Sequence, residues 1–425
     1  MKRLFYVLLL MPVIASCGIW GHYSRPEVAD VAVTEGFDVP SWRSMFADAF
    51  LQGLVDTALA NNADLKVAML KVQEAEAALR QSRMAFLPSV SVGADASLPS
   101  GNVGADARLS SWELDVFGKL TSSARASVAA LEESEAYSQA VRTNLVATLA
   151  DSYYSLLLLD KELEISRQTL GNWDKSIHVM ESLKLAGKSN DVAIQQAKAK
   201  RLGLEASAVS IEKNIDVLQR SICTLMGVPS RELARGSIDD PKIALLTDVP
   251  VIYLASRPDV RKSEMALAKA FYLTQSSRAA LYPSVALSGS LDLSSMIWSA
   301  VAGVTQPLLQ KGTLKAGYRK AQLAQEEARV AFHQTLLEAG NEVADALAQC
   351  RASEERQNLH VEQAAALQDA VDKIGLLMIY STANYLEVLT AQQSLLDAQL
   401  LVVQDRFDGI QGTIRLYHAL GGGLN

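Results

Sequence analysis

The side chains able to do covalent or metal chemistry are few in this chain and far apart. Five histidines (His22, His178, His333, His360 and His418) are scattered over 425 residues, with no H-E-x-x-H pair, no phosphate-binding P-loop and no dinucleotide glycine fingerprint. Glycine–serine segments such as Ser288-Gly289-Ser290 lie in strand-like stretches, not at a strand-to-helix elbow. The expectation is a protein that is not an enzyme and carries no metal or cofactor. Cys223 and Cys350 stand 350 − 223 = 127 positions apart in helical patterns without C-x-x-C spacing. They read as free thiols packed as small apolar side chains. The formal charge of −7 comes with no basic cluster, so nucleic acid is not indicated.

The third cysteine is different. Lys2-Arg3 is followed by an apolar run from Leu4 to Ile14, too short to span a bilayer comfortably. Ile14-Ala15-Ser16-Cys17-Gly18 then resembles a bacterial lipobox. That resemblance implies a signal peptide over 1–16, cleavage before Cys17 and a lipid on its sulfur. Gly18-Ile19 places no acidic residue directly after Cys17, which favours sorting to the outer membrane of a Gram-negative cell.

The elements that would carry these groups come from a duplication. The chain has eleven prolines, yet none between Ser100 and Val228 and none between Leu308 and Asn425. Proline breaks helices, so runs this long predict very long ones. Leu87-Pro88-Ser89-Val90 recurs as Tyr282-Pro283-Ser284-Val285, an offset of 283 − 88 = 195. Leu149-Ala150-Asp151 recurs as Val343-Ala344-Asp345, and Met226-Gly227 as Leu420-Gly421, both at 194. Two copies of one unit follow.

Each copy changes period after its proline. Val90, Val92, Ala94, Ala96 and Leu98 alternate with mostly polar residues, and Val103, Ala105, Ala107 and Leu109 do so after the turn at Pro99–Asn102. Val285, Leu287, Leu291 and Leu293, then Trp298, Ala300, Ala302 and Val304, repeat the pattern. Strands of roughly ten residues suit a membrane barrel. Four strands cannot close one, and an open edge is not tolerated in lipid, so several chains must pool them. Three copies would make twelve strands, within the known range.

Beyond the hairpins, Leu145, Leu149, Tyr153, Leu156, Leu163 and Leu170 form a coiled-coil-like seam. Its counterpart has Leu323, Val330, Leu337 and Ala344 at sevens, beside Leu336, Val343 and Cys350. The first long helix, from Lys119 to about Leu185, turns at Ala186–Asn190, and the second copy turns at Ile379–Asn384. The predicted organisation is a signal peptide (1–16) and a lipidated strap with a short helix (17–63). Repeat one (64–228) carries a β-hairpin over 89–112 and a helical hairpin over 119–227. A connector (229–258) leads to repeat two (259–421), with a β-hairpin over 284–306 and a helical hairpin over 313–420. The tail is 422–425.

These residues resemble the TolC-like outer-membrane efflux proteins, in the lipoprotein branch serving tripartite resistance-nodulation-division pumps. The likeness is carried by Cys17, Tyr23-x-Arg25-Pro26, Trp42-Arg43-x-x-Phe46-x-Asp48, the Leu54–Leu65 segment, Pro88-Ser89-Val90, and Ser111–Gly118 with its Trp112-Glu113-Leu114-Asp115 core. It implies a mixed α and transmembrane-β fold: a trimer whose shared twelve-stranded barrel is continuous with a long periplasmic helical barrel. It also implies passive export of drugs, metal ions or other small solutes, with an adaptor protein and an inner-membrane transporter as partners.

The resemblance places the closed aperture at the two helical turns, giving Glu387, Asp191, Tyr380, Asn384 and Gly187 as tip residues. In a trimer Glu387 would form a ring of three carboxylates, attractive to cations. The alternative for Glu387 and Asp191 is that they are solvated helix-start charges favoured by the dipole. Two other functions stay open: the outer-membrane duct of a type I protein secretion system, and a structural coiled-coil lipoprotein.

Overall fold

The computed structural model describes residues 21–25, 41–97, 102–185, 191–239, 243, 257–293, 295–306, 312–379 and 385–422. Its helices are α1 (Trp42–Met45), α2 (Ala49–Asn61), α3 (Ala63–Met84), α4 (Lys119–Leu185), α5 (Asp191–Leu225), α6 (Pro258–Ala279), α7 (Thr313–Ile379) and α8 (Tyr385–Ala419). The strands are β1 (Ser89–Ser97), β2 (Asn102–Leu114), β3 (Ser284–Asp292) and β4 (Ile297–Thr305). The duplication is carried through to the helices. α4 and α7 each have 67 residues and α5 and α8 each have 35, starting 194 positions apart.

Local chemistry sets the boundaries. Asp48 caps α2, its Oδ1 accepting from the Phe50 and Leu51 amides at 2.8 and 3.4 Å. Asp115 caps α4 by accepting from the Leu120 and Thr121 amides at 2.9 and 2.8 Å. Between β2 and α4 the chain turns through Gly118 at φ +71°, a left-handed conformation that glycine adopts without strain.

The chain forms two compact units, each drawing on both repeats: 1–31, 67–139 and 258–337 in the first, and 32–66, 140–257 and 338–425 in the second. The first holds the sheet, antiparallel throughout in the order β1-β2-β3-β4. Phe117 and Tyr282 stack where the first hairpin leaves the sheet and the second enters it, with ring centroids 5.1 Å apart. Lys269 bonds Glu133 at 2.5 Å, and Lys71 and Lys262 both lie over the Tyr137 ring, tying α3 and α6 to the start of α4. The strap residues Tyr23 and Arg25 lie on α6, Tyr23 edge-on to Phe271 and Arg25 paired with the buried Glu264. Burial pushes the Tyr23 hydroxyl up to about 12.

The second unit has the larger core. Trp42, Met45, Phe46, Leu51 and Val55 pack with Leu149, Tyr153, Leu156, Ile222, Ile414 and Tyr417. Tyr153 donates to Asp48 Oδ2 at 2.7 Å and accepts from the Gly236 amide at 3.0 Å. The connector is held by ion pairs: Arg235 with Asp160, and Asp239 with Lys161 at 2.9 Å and Arg406 at 2.7 Å. Arg257, almost wholly buried, donates to the Ala419 carbonyl at 2.8 Å and meets Glu342 at 2.6 Å, closing the C-terminal end of α8. Both described cysteines are free; Cys223 is buried and Cys350 half-buried against Thr413, burial raising its thiol pKa.

Candidate functional site

The sheet register sorts its side chains into two unlike faces. β1 pairs Val90 with Leu109, Val92 with Ala107 and Ala94 with Ala105. β2 pairs Ala107 with Leu291, Trp112 with Leu287 and Leu114 with Val285. β4 then sets Trp298, Ala302 and Val304 opposite Leu291, Leu287 and Val285. One face is therefore apolar from edge to edge. The other carries Ser91, Arg108 and Ser290 in one row, with Asp106 opposite Asp292 in the next. Ser290 and Ser299 share a hydroxyl hydrogen bond at 2.9 Å, and Arg108 pairs with Asp106.

A bulge keeps the faces apart. Three steps of β2, from Leu109 to Trp112, oppose two steps of β3, from Gly289 to Leu287. Without the extra residue, Trp112 and Leu114 would point to the polar side and Glu113 to the apolar one. With it, Glu113 stays on the polar face and binds Lys119 at 2.9 Å. Simple alternation read from the sequence ends at Leu109 and misses this reset; the only hint is the paired Ser110-Ser111 before Trp112.

Ile297 and Val301 are exposed on the polar face, opposite Asp292 and Ser288, while the apolar face exposes Val90, Val92, Trp298 and Val304. So large an apolar surface, with the outer edges of β1 and β4 unpaired among the described residues, is unfavourable in water and suits contact with lipid and further strands. Among the described residues no helix is long and apolar enough to cross a membrane.

In the second unit, Asp191 opens α5 and Glu387 lies in the first turn of α8, both exposed. Next to Glu387, Val388 and Leu389 are buried with Ile177, Met180, Ile194 and Ala197. α8 therefore begins against the α4–α5 hairpin, and the two acids stand at neighbouring helix starts. Asp191 is ion-paired with Lys184 at 2.5 Å, which holds its pKa below the usual carboxylate value. Glu181 meets Lys198 at 2.7 Å, and Asp174 meets Arg201. Gly187, Tyr380 and Asn384, like Cys17, lie outside the described residues.

Sequence reasoning missed a polar spot in this apolar packing. Gln392 donates to Ser176 at 3.0 Å, while Gln392 Oε1 and Trp173 Nε1 are buried without a partner among the described residues. His360 pairs with the buried Asp405, which also accepts from Arg356 at 2.8 Å. Among the described residues no group of three or more histidines, cysteines and carboxylates could hold a metal ion.

Residues 54–228 and 249–422, one stretch in each repeat, both match the outer membrane efflux protein family. The chain belongs to that family. It is an outer-membrane efflux protein, located in the outer membrane, with the TolC-like combination of four antiparallel strands and long helices. The family is one of efflux ducts, not of enzymes.

The cation efflux system protein CusC of Escherichia coli is 28% identical over 96% of this chain and 96% of its own. The probable outer membrane lipoprotein SilC of Salmonella typhimurium is 29% identical over 90% of this chain and 88% of its own. A crystal structure of CusC superposes with a TM-score of 0.85 at 27% identity, covering 96% of this chain and all of that one (100%). The exit-duct function of this outer-membrane efflux protein accords with the two-faced sheet.

Proposed function

We propose that three copies of this chain assemble into a passive conduit, the outer-membrane component of a tripartite efflux pump for drugs or other small solutes. The observation that carries this reading is a contrast between the repeats. On α8, Leu396 and Val403 are buried in the core of the second unit. Their equivalents 194 positions earlier, Leu202 and Val209 on α5, are exposed. A surface that is covered in one repeat and bare in the other calls for a second copy to supply the cover. The sevens of α7 support the same conclusion. Leu323, Val330 and Leu337, expected from sequence to lie in a seam, are exposed within one chain. The unpaired edges of β1 and β4 ask for partners as well, and three copies of a four-stranded sheet make twelve strands.

In the trimer the polar sheet face lines the lumen and the apolar face meets lipid. A lipid on Cys17 adds a second hold on the membrane. The helical tips meet a periplasmic adaptor, an inner-membrane transporter supplies the energy, and Glu387 contributes a ring of three carboxylates at the aperture. CusC is named for cation efflux. A passive duct need not encode that choice, so substrate class here follows the inner-membrane partner.

The deciding experiment is conductance of the purified protein in a planar lipid bilayer, with Glu387→Ala alongside and the oligomer mass measured in the same detergent. Unitary steps from a trimer, blocked by divalent cations in the wild type but less in the variant, are expected. A stable monomer would refute the shared barrel.

A further inference from the structure

Within one chain α4 and α8 are linked at two points. Gln392 donates to Ser176 at 3.0 Å, and Gln411 donates to Asp151 at 3.0 Å. Ile165 of α4 and Leu396 and Val403 of α8 are buried in the same core. Because α4 and α7, like α5 and α8, begin 194 positions apart, the same seam can be written between α7 and α5. Its linked pairs become Ala370 with Lys198 (176 + 194, 392 − 194) and Asp345 with Val217 (151 + 194, 411 − 194). Its apolar residues become Leu359 on α7 and Leu202 and Val209 on α5. Leu359, Leu202, Val209 and Val217 are all exposed. Both halves of a second seam are therefore present and bare.

The second seam differs from the first in its charge. On α8, the buried Phe407 and Ile414 flank Gln411. On α5, Lys213 and Arg220 flank Val217 at the equivalent positions, both exposed and neither ion-paired among the described residues. Residues three and four apart share a helix face, so both cations stand beside the position that would face Asp345. Asp345 likewise has no hydrogen-bond or ion-pair partner among the described residues. It lines a cleft of about 290 Å³ with Glu342, Ala346, Arg415 and His418. Glu342 already meets Arg257 at 2.6 Å, and Arg415 donates to Gln349 and Gln411 at 2.8 and 3.2 Å. One carboxylate and two cations, at matching positions of the two repeats, are left unmatched within the chain.

We infer that a second copy completes this cleft: the neighbouring copy's Lys213 and Arg220 close on Asp345, with its α5 lying along α7. The inference rests on the assembly of copies proposed above and specifies its register. The contact runs from the α5 side of one copy to the α7 side of the next, a head-to-tail arrangement of the kind that closes into a ring. A slip of one heptad along α7 in either direction carries one of the two cations out of reach of Asp345. The clasp thus selects the register and orientation of the contact, which is the usual contribution of interfacial charge.

The test is thiol crosslinking and charge reversal in the full-length protein extracted in mild detergent. The crosslinker o-phenylenedimaleimide is applied to Val217→Cys with Asp345→Cys and to Lys198→Cys with Ala370→Cys, each single variant serving as control. A two-copy product at least fivefold above the single variants is expected from both pairs; the second pair leaves the clasp itself intact. Asp345→Lys should lower the oligomer fraction severalfold. Adding Lys213→Asp and Arg220→Asp to it should restore that fraction to within twofold of the wild type. A wild-type oligomer without crosslinks from either pair would overturn the register while leaving the shared assembly standing. Charge reversal without rescue would overturn the clasp, and a monomeric wild type would overturn both the clasp and the assembly.

Discussion

Leu202 and Leu396 occupy equivalent positions 194 residues apart, yet Leu396 is 3% exposed and Leu202 is 60% exposed. Seven residues, about two helical turns, further on, Val403 is 6% exposed and Val209 61%. Identical side chains at identical helix positions are core in one repeat and surface in the other.

The two leucines should respond differently to substitution. Leu396→Ala removes a core side chain and is expected to lower stability by about 2–5 kcal/mol. Leu202→Glu combined with Val209→Glu should leave the chain folded but cut the trimer fraction severalfold. Thermal unfolding checks the first, and light scattering of the detergent-solubilised protein the second. An unchanged trimer with both glutamates present would mean that α5 faces no other copy.

The two faces of β4 can be separated at adjacent positions. Ala300 belongs to the apolar face and Ser299 to the polar one. Ala300→Arg is expected to cost about 2–4 kcal/mol if it sits near the bilayer midplane, and Ser299→Arg under about 1 kcal/mol. Denaturant-dependent folding into lipid vesicles measures both. Equal costs would contradict the assignment of the faces.

Tyr153→Phe would deprive the buried Asp48 carboxylate and the exposed Gly236 amide of a partner. Asp48 loses a donor at 2.7 Å, and the Gly236 amide loses its acceptor at 3.0 Å. Water can replace the acceptor of the exposed Gly236 amide, so the cost falls mainly on Asp48, and a drop of about 1–3 kcal/mol is expected in thermal or chemical unfolding. A change below about 0.5 kcal/mol would show that the network adds nothing to stability.

Asp239 makes a pH-dependent contribution. Its hydrogen bond to Lys161, followed by the charges of Lys161 and Arg406, lowers its pKa against an opposing desolvation. A carboxylate lowered on folding stabilises fully above its unfolded pKa near 3.9, and that stabilisation is lost as pH falls through the folded value. The side chain is half exposed, so screening limits the effect. Asp239→Asn is expected to cost roughly 0.5–1 kcal/mol at pH 7, a difference that shrinks as pH falls below about 4. Melting curves of both proteins across pH 3–7 test this, and a gap that widened on acidification would be the wrong sign.

Much of the fold was legible in the residues themselves. The absence of proline marks the long helices, and the 195 and 194 offsets mark the duplication. Alternation from Val90 to Leu109 and from Val285 to Val304 marks the strands, because each property repeats within a few residues of itself. The tip acids were legible only as positions: Asp191 and Glu387 could be placed at helix starts, but the Asp191–Lys184 pair and the packing of Val388 with Ile194 could not.

What only the tertiary structure decided is which apolar surface is covered, and by what. Heptad spacing at Leu323, Val330 and Leu337 is the same pattern as at Leu149, Leu156 and Leu163, yet the first group is exposed and the second buried. A local period states that a side chain needs cover; it carries no information about which distant segment, or which molecule, provides it. The bulge before Trp112 is decided in the same way. Side-chain parity along β2 is reset by its pairing with β3, about 175 residues further along the chain, and no residue near the bulge encodes that partner.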